Sequence, residues 1–306
     1  TEAQFRLGTM YEKGEGVLLD VTVAVDWYRK ASDKGHTMAQ CCLAHCYSLG
    51  IGGTEKDLSM AAALYEKAAG AGLAEAQFIL GGCYQLGHGV AQCNSMAVYW
   101  LQKAAEQEHA AAQYQIGMHY QVGDGLEQNW DLAASFFMKA AQQGHASAQC
   151  KLALCYRSGR GVPCNHKTAL KWFHKSAAQH NADAQFHIGL YHYQGRSVFK
   201  NEVIAAAWFE KASHQGHDSA QYHLGYCYLQ GRGVMQSDRM AFKLFESAAA
   251  KGHTDAQCRL AACYRSGRGV VLDHSKALYW FQRAASQGSA EAKSSLRLYQ
   301  TFPVTV

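Results

Sequence analysis

Residues 256–288 read AQCRLAACYRSGRGVVLDHSKALYWFQRAASQG, and variants of this pattern recur through the whole chain. The opening dipeptide, Ala-Gln, returns every 36 residues, with a single spacing of 37. An internal period of this length is typical of proteins built from repeated helical hairpins. The units begin at Ala3, Ala39, Ala76, Ala112, Ala148, Ala184, Ala220 and Ala256, and Ala292 opens a terminal, incomplete copy.

Each unit carries two helix signals separated by a glycine-rich turn. If the Ala of Ala-Gln is position 1, then positions 1, 5, 8 and 9 typically carry Ala, Leu or Ile, a small residue or Cys, and Tyr, which predicts one apolar stripe on a first helix, helix A. Glycine at position 12 of every unit should end helix A in a left-handed conformation. Asp, Asn or Ser after the turn should cap a second helix, helix B, and only the third unit departs, with Cys93.

The order Ala-Gln, Leu-Gly, Tyr, Gly-x-Gly-Val, Asp or Asn, Trp-Phe or Trp-Tyr, Lys-Ala-Ala and Gly-His closely resembles the Sel1-like repeat, a relative of the tetratricopeptide repeat. The resemblance covers essentially the whole chain. It implies an all-α, right-handed α-solenoid of eight helix-turn-helix repeats in a single domain, residues 1–306, with a terminal capping helix at 290–300. It also implies a non-catalytic scaffold or adaptor that binds other proteins.

The composition limits the class of protein. The chain has 306 residues, of which 48% are apolar and 17% charged, and this excludes a disordered protein. The sequence has no apolar run of membrane-spanning length and no secretory leader. Because the chain starts at Thr1, within a repeat, we expect it to be a piece of a longer polypeptide. We expect a monomer.

The eleven cysteines predict a reducing compartment, and therefore a cytoplasmic location, because an odd number cannot be fully paired within the chain. Most of them lie on helix A, so a disulfide between the two helices of every repeat is excluded. Two pairs within one unit could still bridge the turn, Cys83 with Cys93 and Cys155 with Cys164.

No catalytic, cofactor or metal site is predicted. The sequence contains no P-loop, no His-Glu-x-x-His, no Gly-x-Ser-x-Gly and no kinase signature. The densest potential metal ligands are Cys41, Cys42, His45 and Cys46, but on one helix they spread over more than half of its circumference. Core packing is the better interpretation of these cysteines.

Histidines recur at one place in the repeat. Five of the sixteen lie in the link from helix B to the next helix A, and four of the five follow glycine. This recurrence indicates a capping or linker role, and it matches the pattern of the family that the sequence resembles. The five are His36, His109, His145, His217 and His253.

Aromatic residues occupy position 3 in five units, and cysteine occupies it in the other three. Two interpretations stay open: the rings anchor apolar side chains of a bound peptide, or they form the shoulder of the core between repeats. The five are Phe5, Phe78, Tyr114, Phe186 and Tyr222.

By analogy with tetratricopeptide hairpins, helix A should line a concave groove with positions 3, 4, 7, 10 and 11. Candidate groove residues that bind a partner lie in the C-terminal units, and the turn adds an arginine at position 13 in four consecutive units. A simpler interpretation is that these arginines only solvate a turn. The groove candidates are Lys151, Arg157, His187, Tyr193, His223, Tyr226, Arg259 and Arg265. The basic edge comprises Arg160, Arg196, Arg232 and Arg268.

The charge is divided unevenly along the chain. Residues 1–147 contain 9 basic and 15 acidic side chains, whereas residues 148–306 contain 20 and 9. This asymmetry favours a protein or peptide partner with an acidic or phosphorylated segment. Two alternatives are an RNA-binding helical-repeat protein and the regulatory domain of an enzyme whose catalytic domain lies elsewhere. The acidic N-terminal half and the lack of a repeated polar code argue against nucleic acid.

Overall fold

The computed structural model describes the backbone of residues 1–301 and the side chains of residues 1–297, and the regular elements of this part are all α-helices. The helices are α1 (Glu2–Lys13), α2 (Val21–Ser32), α3 (Thr37–Leu49), α4 (Leu58–Gly70), α5 (Ala74–Leu86), α6 (Asn94–Glu106), α7 (Ala110–Val122), α8 (Trp130–Gln142), α9 (Ala146–Ser158), α10 (His166–Ala178), α11 (Ala182–Gln194), α12 (Glu202–His214), α13 (Asp218–Gln230), α14 (Asp238–Ala250), α15 (Thr254–Ser266), α16 (His274–Ser286) and α17 (Ala290–Thr301).

The odd-numbered helices α1 to α15 are the predicted A helices, and the even-numbered helices are the B helices. The terminal helix is α17, so the predicted all-α fold of helix-turn-helix repeats with a terminal helix is confirmed. The helices group into two compact units, one of α1–α9 in Thr1–Cys164 and one of α10–α17 that begins at Asn165. Within each unit, every helix packs against the next along the chain, so each hairpin is covered by its neighbours.

One large side chain from helix B fills the centre of most repeats. Phe137 and Phe209 are fully buried, and each packs against a glycine on the A helix of its own hairpin. A Cβ on Gly117 would lie 2.6 Å from Cε1 of Phe137, so the small residue lets the ring touch the helix backbone. The other fully buried rings at this position are Tyr28, Phe173, Phe245 and Phe281.

The helix ends follow the predicted signals. The position-12 glycine of every A helix adopts the left-handed conformation, as Gly159 does at φ 69°. B helices begin at the predicted caps; for example, the Asn129 side chain accepts a hydrogen bond of 3.0 Å from the Leu132 N–H. The cap side chain of α6, Cys93, accepts no such bond. The other predicted caps, Asp20, Asp57, Asn165, Asn201, Ser237 and Asp273, all accept one.

Most of the cysteines pack in the core, and none of the eleven forms a disulfide. Burial raises the pKa of Cys155 and Cys227 to about 11, so these thiols stay protonated and serve as small apolar side chains. Cys41 and Cys46 are likewise buried, while His45 points outward. Among the described residues, no three His, Cys, Asp or Glu side chains converge as metal ligands would.

Candidate functional site

A cleft at the end of the first unit brings together three of the predicted basic residues. Lys151 and Arg157 project from α9, and Arg160 lies in the turn that follows it. The cleft has a volume of about 290 Å³, and the described residues that line it include no carboxylate. Its other lining residues are Gln121, Trp130, Leu154, Cys155 and Ser158.

Trp130, the first residue of α8, positions the arginine of this cleft. The guanidinium carbon of Arg160 lies 4.9 Å from the centre of the indole ring, within the range of a cation–π interaction. Neither Lys151 nor Arg160 forms an ion pair with a described residue, so both charges remain available to a ligand. The result is a basic cleft with one aromatic wall.

The second unit joins three more predicted residues. The Arg232 guanidinium donates a hydrogen bond of 2.9 Å to the Tyr193 hydroxyl, and its carbon lies 5.8 Å from the centre of the Tyr226 ring. Arg259 lies nearby on α15, where Glu291 pairs with it at 3.4 Å. Arg232 is therefore held by two tyrosines, whereas Arg259 is already paired with a carboxylate.

The two predicted groove histidines lie among aromatic rings. His223 stacks on Phe209, with ring centres 5.3 Å apart, and burial lowers the pKa of His223 to about 4. It is therefore neutral near pH 7 and adds no positive charge to the surface. His187 is half-buried as well, 5.0 Å from the ring centre of Phe173.

The remaining arginines have dissimilar surroundings. Arg268 forms an ion pair of 2.8 Å with Asp238, whereas Arg265 is exposed and lies over the ring of Phe281 at 5.5 Å. Arg196 is exposed in its turn. The four arginines at position 13 thus occupy equivalent places in the repeat, but their environments differ.

A regular pairing between repeats was not predicted from the sequence. Each aromatic ring at position 3 stacks on the histidine that begins the next helix A, with ring centres 4.7 to 5.0 Å apart. The rings thus form the shoulder of the core between repeats, which was one of the two open interpretations. The pairs are Phe5–His36, Phe78–His109, Tyr114–His145, Phe186–His217 and Tyr222–His253.

The sequence does contain a signal for this pairing. Wherever position 3 is aromatic, a histidine opens the next repeat's helix A. Wherever position 3 is cysteine, another residue takes the histidine's place: Leu73 after Cys41, Asn181 after Cys150 and Ser289 after Cys258. The two positions therefore change together along the chain.

These histidines are also helix caps, as predicted. The Nδ1 atom of His145 accepts a hydrogen bond of 3.2 Å from the Ala148 N–H, and the other four make the same bond. Three of them also place Nε2 beside a carboxylate one repeat earlier. These contacts are His36–Glu2 at 3.0 Å, His109–Glu75 at 3.0 Å and His217–Asp183 at 3.1 Å.

Within the described residues, none of the helices combines the length and the apolar character needed to cross a membrane.

Comparison with known proteins identifies the family. The Sel1 repeat family model matches eight consecutive segments: 1–36, 37–73, 74–109, 110–145, 146–181, 182–217, 218–253 and 254–289. None of the curated proteins matches the chain.

Two solved structures share both fold and sequence with the chain. The first is c5321, a protective antigen of uropathogenic Escherichia coli strains with an SLR fold; it is 33% identical, with a TM-score of 0.83 over 98% of this chain. This chain spans only 65% of c5321. The second, a Sel1 repeat protein from Oxalobacter formigenes, is 31% identical, with a TM-score of 0.73, and the match covers 97% of this chain and 86% of that one.

Sel1 repeat proteins generally mediate protein–protein interactions, and their fold is typically that of a non-catalytic scaffold. The family model accounts for residues 1–289 without a gap. This chain therefore belongs to the Sel1 repeat family.

Proposed function

We propose that this protein is a non-catalytic scaffold that binds an acidic or phosphorylated segment of a partner protein. The observation that carries the proposal is the cleft in which Lys151, Arg157 and Arg160 lie together beside Trp130. No carboxylate lines this cleft among the described residues. Lys151 and Arg160 form no ion pair with a described residue, and two such cations beside one cleft favour an anionic ligand.

The size and shape of the cleft indicate which part of a partner it accepts. A volume of about 290 Å³ is at the lower limit of small-molecule pockets, so the cleft suits one side chain or one phosphate group. Trp130 holds the guanidinium plane of Arg160, and a planar guanidinium can donate two parallel hydrogen bonds to a carboxylate or phosphate. Lys151, which also lines the cleft, adds a second positive charge.

The contact in the second unit has the same chemistry. Arg232 lies between Tyr193 and Tyr226, so an acidic group could pair with the guanidinium while an apolar neighbour packs on a ring. An elongated partner segment that alternates acidic and apolar residues fits this arrangement. Such a segment would contact the tyrosines of two A helices and the arginine of the turn together.

The proposal can be tested with synthetic peptides and fluorescence polarisation. The probes are short labelled peptides rich in Glu and Asp, the same peptides with phosphoserine, and neutral peptides of equal length. We expect acidic and phosphorylated peptides to bind, and the double variant Lys151→Glu, Arg160→Glu to weaken binding at least tenfold. The reason is that each lost charge-assisted hydrogen bond contributes about 1.5–3 kcal/mol.

Lys139→Glu is the matched control, because Lys139 is an exposed lysine on α8 that does not line the cleft. This variant changes the net charge in the same direction and should leave peptide affinity within about twofold. If the cleft variant and the control weaken binding equally, or if neutral peptides bind as well as acidic ones, the cleft does not select an acidic segment.

A further inference from the structure

Three consecutive turns of the second unit each expose a large apolar side chain. Phe199, Met235 and Val271 occupy position 16 of repeats six, seven and eight, and they are 95%, 89% and 85% exposed. Single exposed apolar residues are ordinary, but three in register mark an interaction site. We call these three residues the apolar edge.

The three turns lie in succession along the unit because each one packs on the repeat before it. A Cβ on Gly233, in the turn of repeat seven, would overlap the carbonyl of Glu202, which begins the helix after the Phe199 turn. Gly269 approaches Asp238 in the same way, after the Met235 turn. Val203, Ile204 and Met240, near the starts of the adjoining helices, extend the exposed apolar surface, as does Leu272 beside Val271 in the turn.

Cations accompany the apolar edge. An arginine precedes each of its members by three residues: Arg196, Arg232 and Arg268. The acids that lie along these turns are already paired, so Arg196 and Arg232 remain as surplus positive charge. The pairs are Glu202–Lys200 at 2.9 Å, Asp238–Arg268 at 2.8 Å and Asp273–Lys276 at 3.5 Å.

We propose that the apolar edge docks on an anionic lipid bilayer. Phe199, Met235 and Val271 would enter the region between headgroups and acyl chains, while Arg196 and Arg232 pair with lipid phosphates. The side chains favour a bilayer over a protein groove because they are almost fully exposed on their turns, and two of the three turns carry an arginine that forms no ion pair with a described residue, Arg196 and Arg232. Long cationic side chains can extend from such a turn to the headgroup layer. This docking is peripheral and does not require a membrane span.

Vesicle flotation tests this proposal directly. The probes are vesicles of phosphatidylcholine alone and vesicles of phosphatidylcholine with phosphatidylglycerol. We expect the protein to float with the anionic vesicles, and less so as salt is raised. The triple variant Phe199→Ser, Met235→Ser, Val271→Ser keeps every charge and removes only exposed side chains. It should reduce the partition coefficient at least tenfold, and thermal unfolding by circular dichroism will show that it still folds.

The first unit supplies a matched control. Leu18 is 90% exposed at the same position of repeat one, but its turn carries Glu15 where the three turns of the apolar edge carry arginine. The variant Leu18→Ser, Leu19→Ser should bind anionic vesicles like the unmodified protein. The proposal is overturned if the protein does not bind anionic vesicles. It is also overturned if the triple variant binds them as well as the unmodified protein does, which would indicate attraction by charge alone, or if the Leu18, Leu19 variant loses as much vesicle binding as the triple variant. If the triple variant loses peptide binding but keeps vesicle binding, the apolar edge contacts a protein partner instead.

Discussion

At the scale of single residues, the histidines that begin the A helices use both ring nitrogens. Nδ1 of His145 accepts a hydrogen bond from a backbone N–H, so this atom cannot carry a proton while the cap is intact. In His36 Nδ1 likewise accepts from the Ala39 N–H, so the other nitrogen, Nε2, is the one that can donate to the Glu2 carboxylate, 3.0 Å away. The stacked aromatic ring fixes the plane of the imidazole. A second proton on the ring would occupy Nδ1, so the cap would be lost and the Nδ1–H would face the backbone N–H.

Acid should destabilise the fold through another histidine, His223, which is half-buried within α13. Burial first, and then the neighbouring His253, lowers the pKa of His223 to about 4, below the ordinary value of 6.5. A lowered pKa means that the unfolded chain binds more protons, so this stability is present above about pH 6.5 and is lost as the pH falls toward 4. His223→Phe should flatten this dependence by on the order of 3 kcal/mol in urea unfolding measured across that range.

Two further variants separate titration from packing. His145 has a pKa lowered by burial and then by His109, and His145→Asn should keep the cap without titrating, as Asn181 does when it caps α11. We expect a weaker acid sensitivity together with some loss of stability, because the stack on Tyr114 is removed. His45→Gln, at an exposed histidine, should change nothing. Equal pH profiles in all variants would show that the histidines do not govern acid unfolding.

At the scale of the helical hairpin, two glycines recur in the turn between helices A and B and have different effects, although in repeat six Ser197 takes the place of the second. The first ends helix A in the left-handed conformation and has room around it; the atom nearest to a Cβ on Gly231 would be Cβ of Gln236, at 3.4 Å. The second, Gly233, also has a positive φ, 71°, but lies directly on the backbone of the previous repeat. The second glycine thus controls how closely one repeat approaches another.

Alanine substitutions should separate these two effects. Gly252→Ala tests left-handed strain alone, since φ is 96° there and a Cβ would have nothing within 4 Å. We expect a loss of about 1–2 kcal/mol. Gly233→Ala adds an overlap with the Glu202 carbonyl and should cost about 3 kcal/mol or more, measured by urea unfolding. Equal losses for the two variants would mean that the turn shifts away from the previous repeat at little cost.

The sequence was sufficient to predict the helices, but not the neighbours of each side chain. Helix ends depend on local signals, such as Asn129 and Gly159, that lie within the segment they terminate. The environment of a position-13 arginine depends on residues 30 to 39 positions earlier, which vary: Arg160 meets Trp130, whereas Arg268 meets Asp238. A row that is uniform in sequence therefore becomes a set of different sites in the structure.

At the scale of the whole molecule, the repeats are coupled through nearest neighbours. Within the first unit α8 packs on α7 and α9, and the extensive packing is between helices adjacent in sequence. The stability of such an array is approximately a sum of repeat and interface terms, so damage should remain local. The same arrangement lets neighbouring repeats carry different surfaces, because an altered contact in one repeat need not disturb another.

A cavity made in a single repeat should destabilise only that repeat and its neighbours. Phe137 is fully buried in α8 against Gly117, and Phe137→Ala should cost about 3–5 kcal/mol. In hydrogen exchange followed by mass spectrometry, we expect α7 and α8 to lose protection strongly and the adjoining α6 and α9 partly, while α1–α3 keep theirs. Uniform loss over α1–α9 would instead make the first unit one cooperative block. In that event a partner bound beside Trp130 would stabilise α1 as much as α8, whereas nearest-neighbour coupling confines its effect to the repeats that flank the cleft.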